Sequence, residues 1–230
     1  MFKSLTIQAV AEFDLVAKGP VLIGDKAGNK IDPTQPDITF LSGQISSDGH
    51  FSCVIPGSSI KGAIRSYCEQ LLDGEIGAKT QSLFGKVANK NNKDSQKSKI
   101  YFHDAFAVPE TLVISTRFST AIDPFTQSPK STSLNNVGTV DKGVFKAGFR
   151  IVNFSNEEIK AILDALSKIN TGEILFGGRK SRGFGYMNVE NFRLTVNNGY
   201  NEDFEPVNEK TLDSLEKAFS YFDKEIYNER

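Results

Sequence analysis

The stretch from Ser155 to Gly172 constrains the fold more than any other in this 230-residue chain. Ser155-Asn156-Glu157-Glu158 reads as a capping box, in which a serine hydroxyl and a glutamate three residues later satisfy each other's backbone donors. Ile159, Ile162, Leu163, Leu166 and Ile169 then recur at helical spacing, and Gly172 ends the run. A helix with one apolar stripe has to bury that stripe, and strands lie on both sides of it in sequence. Phe145 to Phe154 reads as a strand before it; Ile174 to Phe176 and Met187 to Val196 read as strands after it.

The first half repeats the pattern. Leu5 to Leu15 alternates, with Leu5, Ile7 and Ala9 on one face, and ends at the turn signal Lys18-Gly19-Pro20. Phe40 to Ile45 and His50 to Ile55 flank Ser46-Ser47-Asp48-Gly49, which predicts a hairpin. Ile60, Ile64, Tyr67, Cys68, Leu71 and Leu72 give a second amphipathic helix, with Ser58 or Ser59 expected as its N-cap. Ile100-Tyr101-Phe102 opens another strand. The order strand, helix, strand, excursion, strand, helix, strand is a split βαβ, ferredoxin-like α+β fold, an antiparallel sheet under two helices. Residues 1–201 form its single domain. The excursion at 108–142 carries no helical pattern, and Thr111 to Phe118 is expected to pair with Val140 to Phe145 across it. An ordered excursion of that length points to a function.

Charge divides the chain in two. Residues 202–230 hold nine acidic and four basic residues, net −5, whereas residues 1–201 are net +4. The tail is expected to be an acidic helical extension over about 208–228, with Leu212, Leu215, Phe219, Phe222 and Ile226 on its docking face. The near-neutral total therefore hides a basic body, and distribution matters more than sum for an anionic partner. Cys53 and Cys68 are too few for a disulfide framework or a zinc site and read as buried thiols in a reducing cytoplasm. The sequence offers no apolar run long enough to span a membrane, so no membrane partner is expected.

Two segments suit phosphate. In Gly177-Gly178-Arg179-Lys180-Ser181-Arg182-Gly183-Phe184-Gly185, glycines allow tight bends and close backbone approach, while Arg179, Lys180 and Arg182 supply charge. It is neither a Walker loop nor a dinucleotide fingerprint, because the spacing and the following strand are wrong. Pro56 to Arg65 places Ser58, Ser59, Lys61 and Arg65 at a helix N-terminus, where free N–H groups favour anions. Gly62 costs that helix about 1 kcal/mol relative to alanine, which suggests close approach by something outside it. Two phosphate sites favour an extended polymer over one small ligand.

These segments carry a resemblance. Pro56 to Arg65, PGSSIKGAIR, resembles the signature of the RAMP superfamily of CRISPR proteins, and Gly177 to Gly185 resembles its C-terminal glycine-rich loop. Leu83-Phe84-Gly85, followed by Ile100-Tyr101-Phe102-His103-Asp104-Ala105, is similar to a segment of type III backbone subunits. Arg117 to Pro129, RFSTAIDPFTQSP, with Arg117 and Asp123, resembles part of their protruding thumb, and Gly19 to Gly24 their first turn. The resemblance covers most of residues 1–196.

It implies a subunit that lines up with copies of itself and other CRISPR effector subunits along a guide RNA. The palm holds guide phosphates and the thumb kinks the guide–target duplex. Base pairing then carries the sequence specificity. It also implies cleavage of target RNA by an aspartate with a divalent metal such as Mg2+ or Mn2+, the 2′-hydroxyl attacking. Asp37 fits the family position best as catalytic and metal-holding residue, with Thr39 where proline is usual and Phe40 where an aliphatic residue sits. Asp32 is the second choice. Neither His50 nor His103 matches the histidine near the first helix of the superfamily's processing nucleases. A non-cleaving capping subunit, a stand-alone RNA-processing nuclease and a small-ligand-binding protein of the same fold are the alternatives.

Overall fold

Helix α3 of the computed structural model forms as its capping box dictates. It spans Asn156–Asn170, with Ser155 as N-cap and both reciprocal hydrogen bonds made. The structure describes residues 5–26, 38–44, 51–71, 77–86, 95–130, 133–200 and 205–225. Ile159, Ile162, Leu163, Leu166 and Ile169 of α3 are all fully buried.

They pack on an antiparallel sheet whose central strand, β1 (Ile7–Ala17), alternates as its sequence does. Ala9, Ala11, Phe13 and Leu15 face the core, whereas Leu5 lies outside the strand and is exposed. After β1 come β2 (Gly24–Lys26), β3 (Ile38–Phe40), β4 (Ser42–Gln44) and β5 (Phe51–Ile55), then α1 (Gly57–Leu71) and α2 (Gly77–Phe84). The predicted hairpin is β4 paired with β5, Ser42 opposite Cys53. Next come β6 (Ile100–Phe102) and β7 (Ala105–Ala107), the excursion strands β8 (Val113–Ser119) and β9 (Asn135–Lys142), and β10 (Val144–Val152). After α3 the chain ends in β11 (Met187–Tyr200), β12 (Pro206–Leu212) and α4 (Leu215–Glu225).

The large sheet runs β12-β11-β1-β10-β7-β5-β4, with β6 also on β10. Within it β11, β1, β10 and the broken β6–β7 strand stand in the order fourth, first, third, second, which is the ferredoxin-like palm. Phenylalanines fill the space under the helices: Phe149 lies 6.4 Å from Phe13 and 5.6 Å from Phe102, ring centre to ring centre. A second sheet, β2-β3-β9-β8, stands beside the palm.

The structure corrects four local expectations. Helix α1 starts at Gly57, so Ser58 and Ser59 lie inside its first turn and neither is the N-cap. The Gly57 N–H donates instead to Asp104 Oδ1 at 2.7 Å. Residues 174–176 form no strand; Phe176 N–H bonds the Gly185 carbonyl across a loop. Residues 140–145 are split between strands: β8 pairs with β9, Arg117 opposite Val137, and the chain turns at Gly143 to enter β10. Finally, 206–212 is a strand on β11, Leu194 opposite Leu212, and the C-terminal helix begins only at Leu215. Helix α2 was not anticipated from the sequence.

Candidate nucleic-acid interface

The glycine-rich loop is held from below by the first turn of the chain. Gly178 N–H bonds the Leu22 carbonyl at 2.8 Å, and Gly185 N–H bonds the Pro20 carbonyl at 2.8 Å. Gly177 has φ +79°, and a Cβ there would stand 2.1 Å from the Leu22 oxygen, so glycine is required. Between these anchors Lys180–Arg182 make a single 3-10 turn. Lys180, Ser181, Arg182 and Gly183 are exposed on it. Arg179, half-buried, adopts the left-handed region at φ 58°, which L-residues enter at a cost of about 1–2 kcal/mol. Its guanidinium Nη1 donates to Ser119 Oγ at 3.3 Å.

That bond joins the loop to the excursion. Phe184 of the loop packs with Leu22 and Val137, and Ile38 covers the cluster. Val21 bridges to Val140, so the first turn lies between the loop and β9. β8 and β9 form a hairpin whose far end turns at residues 123–129. Asp123 Oδ1 accepts the N–H groups of Phe125 and Thr126 there, at 2.9 and 3.0 Å, and these bonds hold its carboxyl below the ordinary range. Phe125 at the tip is 94% exposed. Near the base, Arg117 lies over the Phe184 ring, 5.8 Å from its centre, and reaches Asp141 Oδ2 at 3.2 Å.

The other half of the same small sheet is β2 and β3, with Ile38 beside Val137 in parallel. These two strands bracket residues 27–37. Asp32 and Asp37 lie outside the described residues, as does His50.

The helix α1 site is more self-satisfied than its composition suggested. Lys61 Nζ donates to Ser98 Oγ at 2.9 Å, and burial together with the neighbouring Arg65 lowers its pKa. Arg65 pairs with Glu69 at 2.7 Å. Ser58 is exposed and Ser59 half-buried. Gly57 is demanded by packing, since a Cβ would meet the Phe102 carbonyl at 2.5 Å. A Cβ added at Gly62 would meet nothing within 4 Å among the described residues beyond its own helix backbone. The loop and the helix approach each other at a groove of about 160 Å³, lined on the helix by Ala63, Ser66 and Gln70 and on the loop by Lys180.

Sequence reasoning missed Ser119, Asp104 and Phe184 as residues that shape this interface. Each acts across a long separation, Arg179 to Ser119 spanning 60 residues and Gly57 to Asp104 spanning 47, so no local pattern announces them. Other chemistry is absent from the described residues. No group of three or more His, Cys, Asp or Glu is placed to hold a metal ion. His103 is exposed at the break between β6 and β7. Cys53 and Cys68 are free and buried, and burial pushes the Cys68 thiol up to about 12. Among the described residues no helix is long and apolar enough to cross a membrane.

A palm of ferredoxin order, a glycine-rich basic loop after its second helix and a hairpin inserted before its third strand define a class. The sequence profile of the RAMP superfamily matches residues 14–188, and the chain belongs to that superfamily. Among solved structures, a chain of the "Csm3-Csm4 subcomplex in the type III-A CRISPR-Cas interference complex" superposes with a TM-score of 0.57 at 19% identity. The match covers 96% of this chain and 97% of that one. At that identity the likeness is one of fold. A search of curated proteins returned no match.

Proposed function

We propose that this protein is a backbone subunit of a type III CRISPR ribonucleoprotein. In this reading it binds guide RNA along its phosphates, assembles with copies of itself and with other effector subunits, and cleaves target RNA paired to the guide. The observation that carries the reading is the shared foundation of three elements. The glycine-rich loop docks through Leu22 and Phe184 on the sheet that also holds the β8–β9 hairpin and the strands bracketing Asp37. A guide held on the loop and a hairpin that distorts the duplex then stand on one sheet, and Asp37 directly precedes strand β3 of that sheet in sequence.

The loop does the gripping. Arg179, Lys180 and Arg182 meet phosphate oxygens, with Ser181 and the backbone around Gly183 closing on the same strand. The exposed Phe125 at the hairpin tip suits partial unstacking of a base step. Such a distortion frees the target 2′-hydroxyl to line up with its own phosphorus, and alignment of this kind is worth several kcal/mol of barrier. Asp37 orients that hydroxyl and takes its proton as the 2′-oxygen bonds to phosphorus; the bond from phosphorus to the 5′-oxygen breaks, and that oxygen leaves with a proton from water or from the protonated carboxyl, giving a 2′,3′-cyclic phosphate. A divalent ion belongs to this proposal through Asp37 alone, since the described residues supply no donor set for one.

The loop assignment is tested by the triple variant R179A/K180A/R182A. Its affinity for single-stranded RNA is expected to fall at least about a hundredfold near physiological salt. The slope of log K against log salt should shrink by about 2, as expected when three phosphate contacts go. Unchanged affinity and slope would remove the loop from the interface.

A further inference from the structure

The face that β8 turns toward the loop is chemically unlike its other face. Alternate residues of a strand share a face, so Ser115, Arg117 and Ser119 form one row, successive members about 7 Å apart. All three are engaged: Ser115 Oγ donates to Asp141 Oδ2 at 2.7 Å, Arg117 lies on Phe184, and Ser119 receives Arg179. Two guanidinium groups, one from the hairpin and one from the loop, thus stand on this face of β8, that of Arg179 at Ser119 and that of Arg117 at Phe184 and Asp141. The Arg117 side chain stays 46% exposed despite its contacts. The Arg179–Ser119 bond, at 3.3 Å, is long for a guanidinium donor, and a phosphate oxygen competes well for such a group.

Arg117 is also aimed. Its Nη2 is held by Asp141, whose carboxylate accepts Ser115 Oγ at 2.7 Å and Thr139 Oγ1 at 2.8 Å as well. Thr139 is fully buried and Asp141 partly so, which fixes the carboxylate on the sheet. Burial alone would raise the Asp141 pKa, but the hydrogen bonds from Ser115, Thr139 and Arg117 outweigh it and hold the carboxyl below its ordinary value. The carboxylate is therefore charged at neutral pH and holds the Arg117 guanidinium where it lies over Phe184.

We propose that Arg117, Ser119 and Arg179 form a phosphodiester subsite that carries the RNA path from the glycine-rich loop onto the hairpin, with Asp141 as the residue that positions Arg117. This rests on the RNA-binding reading above and adds a contact and a division of labour to it. Asp141 is an acid that helps RNA bind, a sign opposite to the one bulk electrostatics gives.

That sign is the test. Binding of a labelled single-stranded RNA to the full chain is measured for wild type, R117A, R117K, D141N, R117A/D141N and, as a remote acid, E110Q. R117A is expected to weaken binding about tenfold, and R117K about threefold, because a lysine keeps the charge but loses the planar fork. E110Q should bind as wild type or slightly more tightly. D141N is expected to weaken binding about threefold to tenfold, and R117A/D141N to be no weaker than R117A, since both changes remove one aimed group. Tighter or unchanged binding by D141N overturns the positioning role, and full strength in R117A and R117K overturns the subsite. R117K leaves the Asp141 hydrogen bonds to Ser115 and Thr139 in place, so it reports on the subsite even if D141N loosens the hairpin. A wild-type chain that binds no RNA would instead sink the RNA-binding reading, and the subsite with it.

Discussion

Replacing Asp37 with alanine is expected to reduce cleavage of guide-paired target RNA by the assembled complex by about 10²-fold or more, while guide RNA is held no less tightly. The size follows from losing the carboxylate that positions and deprotonates the attacking hydroxyl, an effect commonly of 10²–10⁴. The selectivity follows from the architecture. Ile38, next to Asp37, pairs with Val137 in the small sheet, whereas the basic turn at Lys180–Arg182 stands on the loop that bonds the first turn of the chain. Truncating the aspartate therefore removes no cation from the loop that is proposed to hold the guide. The assay is cleavage of end-labelled target RNA with mapped products, run beside D32A. Undiminished cutting by D37A and a loss in D32A would transfer the role to Asp32. Undiminished cutting by both would take it away from this loop, and a complex that never cuts would make the chain a non-cleaving subunit.

The second large effect concerns one glycine. Gly177→Ala is expected to cost RNA affinity at least about tenfold and to lower stability by about 3 kcal/mol. Two costs combine: an L-residue at φ +79° is strained by about 1–2 kcal/mol, and its Cβ would overlap the Leu22 carbonyl. That same carbonyl accepts the Gly178 N–H, so relief of the overlap breaks the bond that seats the loop. Gly183→Ala makes the control. It has φ +81° but open space around its Cβ, so it should show the backbone cost without the clash. Chemical denaturation and RNA titration on the two variants separate seating from strain. Equal losses in both would mean that the Leu22 contact does not matter.

What was legible in the sequence was local. Ser155 and Glu158 are three residues apart, and their reciprocal bonds formed as the pattern required. The alternation of β1 and the stripe of α3 each gave their own partner face, and together they gave the palm. The misread segments are those in which a long-range partner overrode a local period. Leu212, Leu215, Phe219 and Phe222 look like one helical stripe, but Leu212 reaches the core by pairing with Leu194 on β11. The sequence places the start of helix α1 two or three residues late, with Ser58 or Ser59 as cap, because the Gly57 N–H is met by Asp104, 47 residues on, rather than by an adjacent serine. The basic loop was legible as a tightly bent, charged segment from its glycines and arginines, and it forms with Gly177, Gly183 and Gly185 at positive φ and Lys180–Arg182 exposed. Its connection to the hairpin through Ser119 and Phe184 was not, because it exists only once the second sheet has formed.

The central claim is that copies of this chain line up along an RNA, and the mass of the complexes tests it most directly. Native mass spectrometry with single-stranded RNAs of increasing length should show occupancy rising in whole steps of one 25.3 kDa chain, each longer RNA admitting further copies. A mass that stays at one chain per RNA whatever the length, or no complex at all, would contradict it.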